Sequence, residues 1–330
     1  ETGTLYFNYL RMKKFTLLLS LALIANAYAC GPKYTDPDDI VVPGTTVPVQ
    51  LADPFIMLDG DTYYAYGTHA ESGIEVFTSS DLKEWKYQGL ALQKKDVWAD
   101  RWFWAPEVYK VKGKYYMYYS ADEHICAAVA DSPLGPFTQE NKTPMIADEK
   151  CIDNSLFIDD DGKPYLIFDR FNGGLNINVA ELEDDLVTVK RETVTPCIKM
   201  SQSWEKVYPT VNEGGFVIKH KGLYYMIYSA NSYESPNYGI GCATAEKITG
   251  PWTKYDENPI LQFPGNLQGV GHGAIFKDKE GQLRIVYHSH WNKNLIHPRV
   301  MHIGKVSFEN VGGVDRMRIS KDYITPKQKQ

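Results

Sequence analysis

Short apolar runs, rather than long amphipathic ones, organise this chain. A four-part pattern returns five times with a period of about 46 to 60 residues, the signature of stacked repeat units. Each unit opens on an apolar run led by a polar or small residue: Asp53-Pro-Phe-Ile-Met-Leu, Pro106-Glu-Val-Tyr-Lys-Val, Asp153-Asn-Ser-Leu-Phe-Ile, Glu213-Gly-Gly-Phe-Val-Ile and His272-Gly-Ala-Ile-Phe. A tight turn follows, at Asp59-Gly60-Asp61, Lys112-Gly113-Lys114, Asp160-Asp161-Gly162-Lys163, His220-Lys221-Gly222 and Lys279-Glu280-Gly281, where glycine supplies the positive φ of a hairpin turn. The second run is aromatic, as in Tyr63-Tyr-Ala-Tyr, Tyr115-Tyr-Met-Tyr-Tyr and Tyr224-Tyr-Met-Ile-Tyr. The third is small and β-branched, as in Ile125-Cys-Ala-Ala-Val-Ala. An outer segment is marked by Leu82-Lys-Glu-Trp-Lys, Leu134-Gly-Pro-Phe-Thr and Thr249-Gly-Pro-Trp-Thr.

Four antiparallel strands per unit and five units predict an all-β fold, a five-bladed β-propeller over residues 51–320 with a tail at 321–330. A β-sandwich would not require so long a period. In a propeller the innermost strands line the axis and all run the same way, so their leading residues converge on one mouth. Asp53, Glu107, Asp153, Glu213 and His272 are expected to meet there. An aspartate before a strand is ordinarily a solvated turn residue; four carboxylates and a histidine at repeated positions describe a cup.

The composition supports a globular fold: 43% of the 330 residues are hydrophobic, and 23 are tyrosine. The amino-terminal stretch differs. Met12-Lys13-Lys14 followed by the apolar Phe15 to Ile24 has the layout of a secretory signal, and its core is too short to span a bilayer. Ala27-Tyr28-Ala29-Cys30-Gly31 resembles a bacterial lipoprotein cleavage box with Cys30 as the lipidated residue. These features predict a signal over 12–29, a Pro-, Thr- and Asp-rich tether over 30–50, and export with attachment to a bacterial membrane on its periplasmic or cell-surface side. Glu1 to Arg11 would then be a cloning remnant or follow a misplaced start. Removing Glu1, Arg11, Lys13 and Lys14 leaves 32 basic and 40 acidic residues, a net charge of −8 that argues against nucleic acid as a partner. Export permits disulfides among Cys126, Cys151, Cys197 and Cys242, although Cys126 and Cys242 fall inside apparent strands, where a buried thiol is the commoner outcome.

Clustered carboxyl groups suit glycoside hydrolysis, which needs one carboxylic acid to protonate the leaving oxygen and one carboxylate to act on water or sugar. Like charges in one site cannot all ionise cheaply, so their proton affinities split. The residues Ala52-Asp53-Pro54, Trp104-Ala105-Pro106-Glu107, Ile152-Asp153-Asn154-Ser155-Leu156-Phe157, Glu213-Gly214 and Gly271-His272-Gly273 resemble glycoside hydrolase family 43, five-bladed propellers that cleave arabinose- and xylose-containing glycans with inversion. The resemblance covers residues from about Leu51 to Ser320. It implies Asp53 as general base, Glu213 as general acid and Asp153 as the carboxylate that tunes and orients Glu213. It also implies that Arg299 reaches the pocket, that Glu107 binds substrate or anchors structure, and that His272 is a channel histidine beside water or a structural calcium ion. No cofactor is required by this chemistry. Where the family usually carries proline, this chain has Asn154 and Gly215; proline fixes φ and removes a donor, so a locally different backbone is expected.

Aromatic platforms for sugar faces are expected at the mouth, with Trp102, Trp104 and Trp291 as contacts among Trp98, Trp102, Trp104, Trp204 and Trp291. His288 and His290 alternate along one strand face; without a third ligand, sugar contact by His288 or packing is favoured over a transition metal. The activity implied is α-L-arabinofuranosidase, with β-xylosidase or a galactose- or galactofuranose-directed glycosidase as alternatives. A surface lipoprotein that binds glycan without turnover is the alternative from another class. Fructan hydrolases usually open on Trp-x-Asn-Asp-Pro, whereas Leu51-Ala52 precedes Asp53-Pro54 here; for a phosphorylase, Arg299 alone is thin support for a phosphate pocket.

Overall fold

The structure, a computed structural model, describes residues 46–207 and 210–329. The expected signal segment, Cys30 and the tether up to Thr45 lie outside those residues.

A short strand β1 (Thr46–Pro48) precedes five sheets, each built from strands consecutive in the chain. The first blade comprises β2 (Ala52–Asp59), β3 (Thr62–Thr68), β4 (Gly73–Ser79) and β5 (Glu84–Gln93). The second has β6 (Trp104–Val111), β7 (Lys114–Ala121) and β8 (His124–Ala130), its fourth position reduced to Thr138 pairing with Val129. The third has β9 (Cys151–Ile158), β10 (Pro164–Phe171), β11 (Leu175–Glu181) and β12 (Thr195–Ile198). The fourth has β13 (Asn212–His220), β14 (Leu223–Ala230), β15 (Gly239–Ala245) and β16 (Thr253–Lys254). The last has β17 (Gly271–Lys277), β18 (Leu283–Ser289), β19 (Val300–Val311) and β20 (Val314–Ile324). This is the five-bladed propeller of four antiparallel strands per blade that the periodicity predicts. No α-helix occurs among the described residues.

Two expected boundaries move. Residues 46–50, expected in the tether, and residues 321–329, expected as a tail, take part in ring closure. Strand β21 (Lys327–Lys329) pairs antiparallel with β1 and parallel with β5. The Val49 N–H donates to Pro326 O at 3.0 Å, and the Met301 N–H donates to Val49 O at 3.0 Å. Closing the ring needs a link between first and last blades, and the two chain ends supply it with backbone groups that would otherwise form bare edges. All four described cysteines are free thiols, three of them buried.

The second strand of each blade places one aromatic ring in the core: Tyr66, Tyr118, Phe168, Tyr228 and Tyr287 are all essentially inaccessible to solvent. Burying such a side chain contributes about 1.5–3 kcal/mol each. Three of the hydroxyls tie down outer segments, Tyr66 to Pro133 O, Tyr118 to Leu186 O and Tyr228 to Glu205. At the end opposite the mouth, Asp59 accepts Lys110 Nζ and Tyr115 Oη from the next blade, and Asp159 accepts Lys219 Nζ and Tyr224 Oη in the same way.

Every innermost strand begins with a β-bulge, seen as a register shift at Ala52/Phe55, Trp104/Glu107, Ile152/Ser155, Glu213/Phe216 and Gly271/Ala274. The bulged residue has positive φ in all five: Asp53 46°, Ala105 46°, Asp153 53°, Gly214 61° and His272 50°. The backbone N–H of each donates to a side chain near the end of the second strand of the preceding blade. Asp53 donates to His288 Nδ1 at 3.0 Å, Ala105 to Thr68 Oγ1 at 2.9 Å, and Asp153 to Ser120 Oγ at 2.9 Å. Gly214 donates to Asp169 Oδ2 at 2.9 Å and His272 to Ser229 Oγ at 2.7 Å. A ring of five hydrogen bonds thus runs from blade to blade around the mouth.

The expected backbone difference does not reach the bulge before Asn154. Asp153, followed by Asn154, adopts nearly the φ of Asp53, which is followed by Pro54. The bulge is therefore imposed by blade packing and the hydrogen-bond ring rather than by proline. At Gly215 a Cβ would stand 2.8 Å from Ile177 Cγ2 and 3.0 Å from Ile167 Cγ2, so these isoleucines fill the space a side chain would need.

Ser229→Ala leaves the His272 N–H without its acceptor, and we expect a loss of about 1–3 kcal/mol in urea unfolding, the cost of an unsatisfied buried donor. A change no larger than that of an exposed serine replaced by alanine would show the ring to be dispensable.

Candidate active site

Because the five leading residues stand on one bulge motif, its register decides which side chains enter the cup. Asp53, Asp153 and His272 occupy the bulged position itself. Glu213 is one residue before it, since Gly214 holds that position, and Glu107 is two residues beyond Ala105. The five positions are therefore not equivalent. Asp53, Asp153, His272 and Glu213 come together, with His272 Nδ1 at 3.4 Å from Asp53 Oδ1 and 4.0 Å from Asp153 Oδ2. The repulsion of Asp53 acts on both Glu213 and Asp153. Glu107 lies apart from this group, its carboxyl hydrogen-bonded to Tyr109 Oη and to Ser155, with burial pushing its pKa up to about 8.

Asp53 sits in a nest of donors. Burial opposes its ionisation, yet Arg299, with the Thr68 hydroxyl, holds its carboxyl well below the usual carboxylate range. Arg299 donates from Nη1 to Oδ1 at 2.9 Å, and Thr68 Oγ1 donates to Oδ2 at 2.6 Å. The guanidinium is itself packed, with its Cζ 4.5 Å from the centre of the Tyr233 ring. Arg299 is thus a buried ion-pair partner of Asp53 rather than a surface arginine.

Glu213 has the opposite environment. Burial raises its pKa, the Tyr238 hydroxyl at 2.6 Å from Oε1 lowers it, and Asp53 raises it again, for a value of about 7. Asp153 is pushed well above the carboxylate range by burial and by the neighbouring charges of Asp169, Glu213 and Asp53. His272 is kept neutral, because burial outweighs the pull of Asp53. Its ring lies against Gly214, where a Cβ would come within 3.2 Å of the imidazole. One mouth thus holds a carboxylate that stays ionised and a carboxyl that keeps its proton to near neutrality.

His288, expected to meet sugar, has no exposed surface. Its Nδ1 accepts the Asp53 N–H, and its ring stacks on Tyr238 with centroids 5.7 Å apart, so it positions Asp53 from behind. His290 turns away, its Nε2 meeting Tyr233 O at 2.7 Å. Among the described residues no group of three or more His, Cys, Asp or Glu side chains is arranged to hold a metal ion. Calcium takes about six to eight oxygen ligands, and His272 offers an imidazole beside carboxylate oxygens of Asp53 already engaged by Arg299 and Thr68. The residues do not fit a protein-held calcium.

Trp102 is exposed and stacks on Trp104 with centroids 5.7 Å apart, while the Arg101 guanidinium covers its ring at 4.3 Å. Trp291 is partly exposed, with a buried Nε1 that has no partner. Trp98 packs edge-on to His124, and Trp204 donates to Gln202.

Four residues of the site are absent from the sequence reading: Thr68, Asp169, Tyr238 and Tyr233. Thr68 and Asp169 had a signal, since aligning the repeats places them with Ser120, Ser229 and His288 just past the core aromatic of the second strand. Tyr233 and Tyr238 lie on the loop between β14 and β15, outside the repeat, and had none.

Removing the Tyr238 hydroxyl takes away a bond that favours ionised Glu213. Tyr238→Phe is therefore expected to raise the Glu213 midpoint above about 7 in a carboxyl ¹³C NMR titration, and a fall would contradict the assigned contact.

The family model of glycosyl hydrolases family 43 matches residues 45–312. A solved structure described as an endo-1,4-β-xylanase from Bacteroides thetaiotaomicron is 45% identical, covering 87% of this chain and 100% of that one with a TM-score of 0.83. The β-D-galactofuranosidase xynD of Aspergillus niger is 25% identical over 304 residues, 84% of this chain and 85% of its own. The exo-α-(1→5)-L-arabinofuranosidase ArbA of Cellvibrio japonicus, described as extracellular, is 25% identical over 312 residues, 83% of this chain and 84% of its own. The chain belongs to glycosyl hydrolases family 43, and is a glycoside hydrolase by that membership.

Proposed function

From that membership we propose an inverting hydrolase that removes pentose or pentose-like furanose residues from arabinose- or xylose-containing polysaccharide, with α-L-arabinofuranosides as substrate. The observation that carries this reading is the split between two buried carboxyl groups at one mouth: Asp53 held ionised by Arg299 and its neighbours, and Glu213 held protonated to about 7. In the proposed step the Asp53 carboxylate takes a proton from water as that water attacks the anomeric carbon. Glu213 gives its proton to the departing glycosidic oxygen, and the bond to the leaving group breaks with its electron pair on that oxygen. Asp153 tunes and orients Glu213, whose proton is held by burial and by the charge of Asp53. Arg299 and the stacked Trp102 and Trp104 are assigned to substrate hydroxyls and sugar faces.

A second reading, cleavage of xylosidic bonds, is favoured by the 45% identity to the Bacteroides protein described as a xylanase. Export with lipid attachment at Cys30 belongs to the same proposal; the pattern at residues 12–30 and the extracellular description of the Cellvibrio relative support it.

Purified protein and its Glu213→Ala and Asp53→Asn variants, assayed on nitrophenyl arabinofuranosides, xylosides and galactofuranosides, test the assignment. We expect losses on the order of 10²-fold or more in both variants; unchanged rates would mean the roles are misassigned. The pH profile of kcat/KM has a required sign. Turnover needs protonated Glu213, so activity holds in mild acid and falls as pH rises through about 7. Asp53 stays ionised far into the acid, so its limb lies well below that. An optimum on the alkaline side would exclude Glu213 as proton donor. Proton NMR of the first-formed sugar should show the inverted anomer, and retention would rule out single displacement.

A further inference from the structure

Beneath the cup lies a carboxyl group that the proposed chemistry does not use. Asp169, on β10, is fully buried, and its Oδ2 accepts the Gly214 N–H at 2.9 Å. Its Oδ1 is buried without an N–H or O–H donor from any fixed group among the described residues. The Asp153 carboxyl lies against it, and the two side chains share a hydrogen bond. Two carboxyl groups can form that bond only with a proton between them. The groups facing the pair from neighbouring elements are Glu213 of β13, Asp53 of β2, His272 of β17, the Cys197 thiol of β12 and the Tyr238 hydroxyl of the loop before β15. None is a cation at neutral pH, since His272 is held neutral and Arg299 is engaged by Asp53. A second negative charge in the pair would therefore be uncompensated, away from water.

The ring of hydrogen bonds shows what Asp169 adds. Thr68, Ser120, Ser229 and His288 fill the equivalent positions and hold a bulge N–H equally well. Holding the backbone needs only an acceptor. A carboxyl here supplies a second oxygen, Oδ1, buried without a fixed donor in a side chain that neighbours the Asp153 carboxyl.

We propose that Asp169 is a positioning residue: one oxygen fixes the backbone N–H next to Glu213, while the other shares a proton with Asp153. One buried side chain thereby sets both the aim of Glu213 and the ionic form of the carboxyl beside it. The shared proton limits the pair to a single negative charge. The effect on turnover rests on the glycosidase reading above; the proton sharing does not.

The test uses Asp169→Ser, which keeps an acceptor of the kind found in other blades, and Asp169→Asn, which keeps the shape. Folding is checked by circular dichroism and thermal unfolding. Aspartate carboxyl ¹³C NMR should show the Asp153 midpoint falling in both variants, and Asp153→Ala, which removes the hydrogen bond that favours ionised Asp169, should raise the Asp169 midpoint. On the best arabinofuranoside or xyloside, kcat should fall on the order of 10-fold or more with KM nearly unchanged, the pattern of an interaction lost in the transition state rather than in binding. An unmoved Asp153 midpoint in either folded variant overturns the proposal, as does unchanged kcat once the midpoint has dropped. If one variant does not fold, the other decides. If the midpoints shift in the variants as stated but the wild-type protein hydrolyses no glycoside, the pair is supported and the glycosidase reading refuted, so the two failures are distinguishable.

Discussion

Five backbone N–H groups at the mouth of the channel must each find an acceptor, and each finds it on the neighbouring blade. Ladder pairing cannot serve them, because each belongs to a bulged residue at positive φ that the facing strand skips. A buried donor left alone is costly, so each blade is locked to the one before it by a side chain standing next to the core aromatic of its second strand. The lock sets the angle at which each innermost strand enters the cup. It also allows non-glycine residues to persist at φ near 50°, a conformation that the surroundings must over-determine.

The same ring supplies the electrical asymmetry of the site. In three places the acceptor is a hydroxyl, from Thr68, Ser120 or Ser229. In the other two it is a titratable group: His288 behind Asp53, and Asp169 behind the segment of Glu213. Asp53 is thus backed by an imidazole and flanked by Arg299, whereas the side bearing Asp153 and Glu213 is backed by a carboxyl and has no cation of its own. Burial alone would raise every carboxyl in the cup. The single guanidinium, placed against Asp53 and under Tyr233, decides which one ionises.

Much of this was legible in the chain. The hairpin turns, the aromatic second strands and the five-fold period all reflect short-range chemistry, in which glycine tolerates positive φ and β-branched and aromatic side chains suit a pleated, half-buried surface. Repetition then made the blades visible. Less legible was the offset between repeats. Glu213 and Glu107 align with Asp53 only if each bulge is counted loosely, and a shift of one or two residues along a strand separates a side chain in the cup from one outside it. The expectation for His288 failed for a similar reason: strand alternation says which side chains share a face, but not that the face is covered by Tyr238 and the next blade.

The sequence by itself determined that this is a propeller with a cup of carboxyl groups, because repeating units that cannot bury their own apolar faces must stack, and stacking brings their leading residues to one end. Only the tertiary structure decided which carboxyl keeps its proton, which loses it, and which residues stand behind them. Those outcomes depend on distances of a few ångströms between groups hundreds of residues apart, such as Arg299 and Asp53, and on how much water each group retains. Electrostatic energies inside a protein vary steeply with both quantities, and neither is written in the local pattern of a chain.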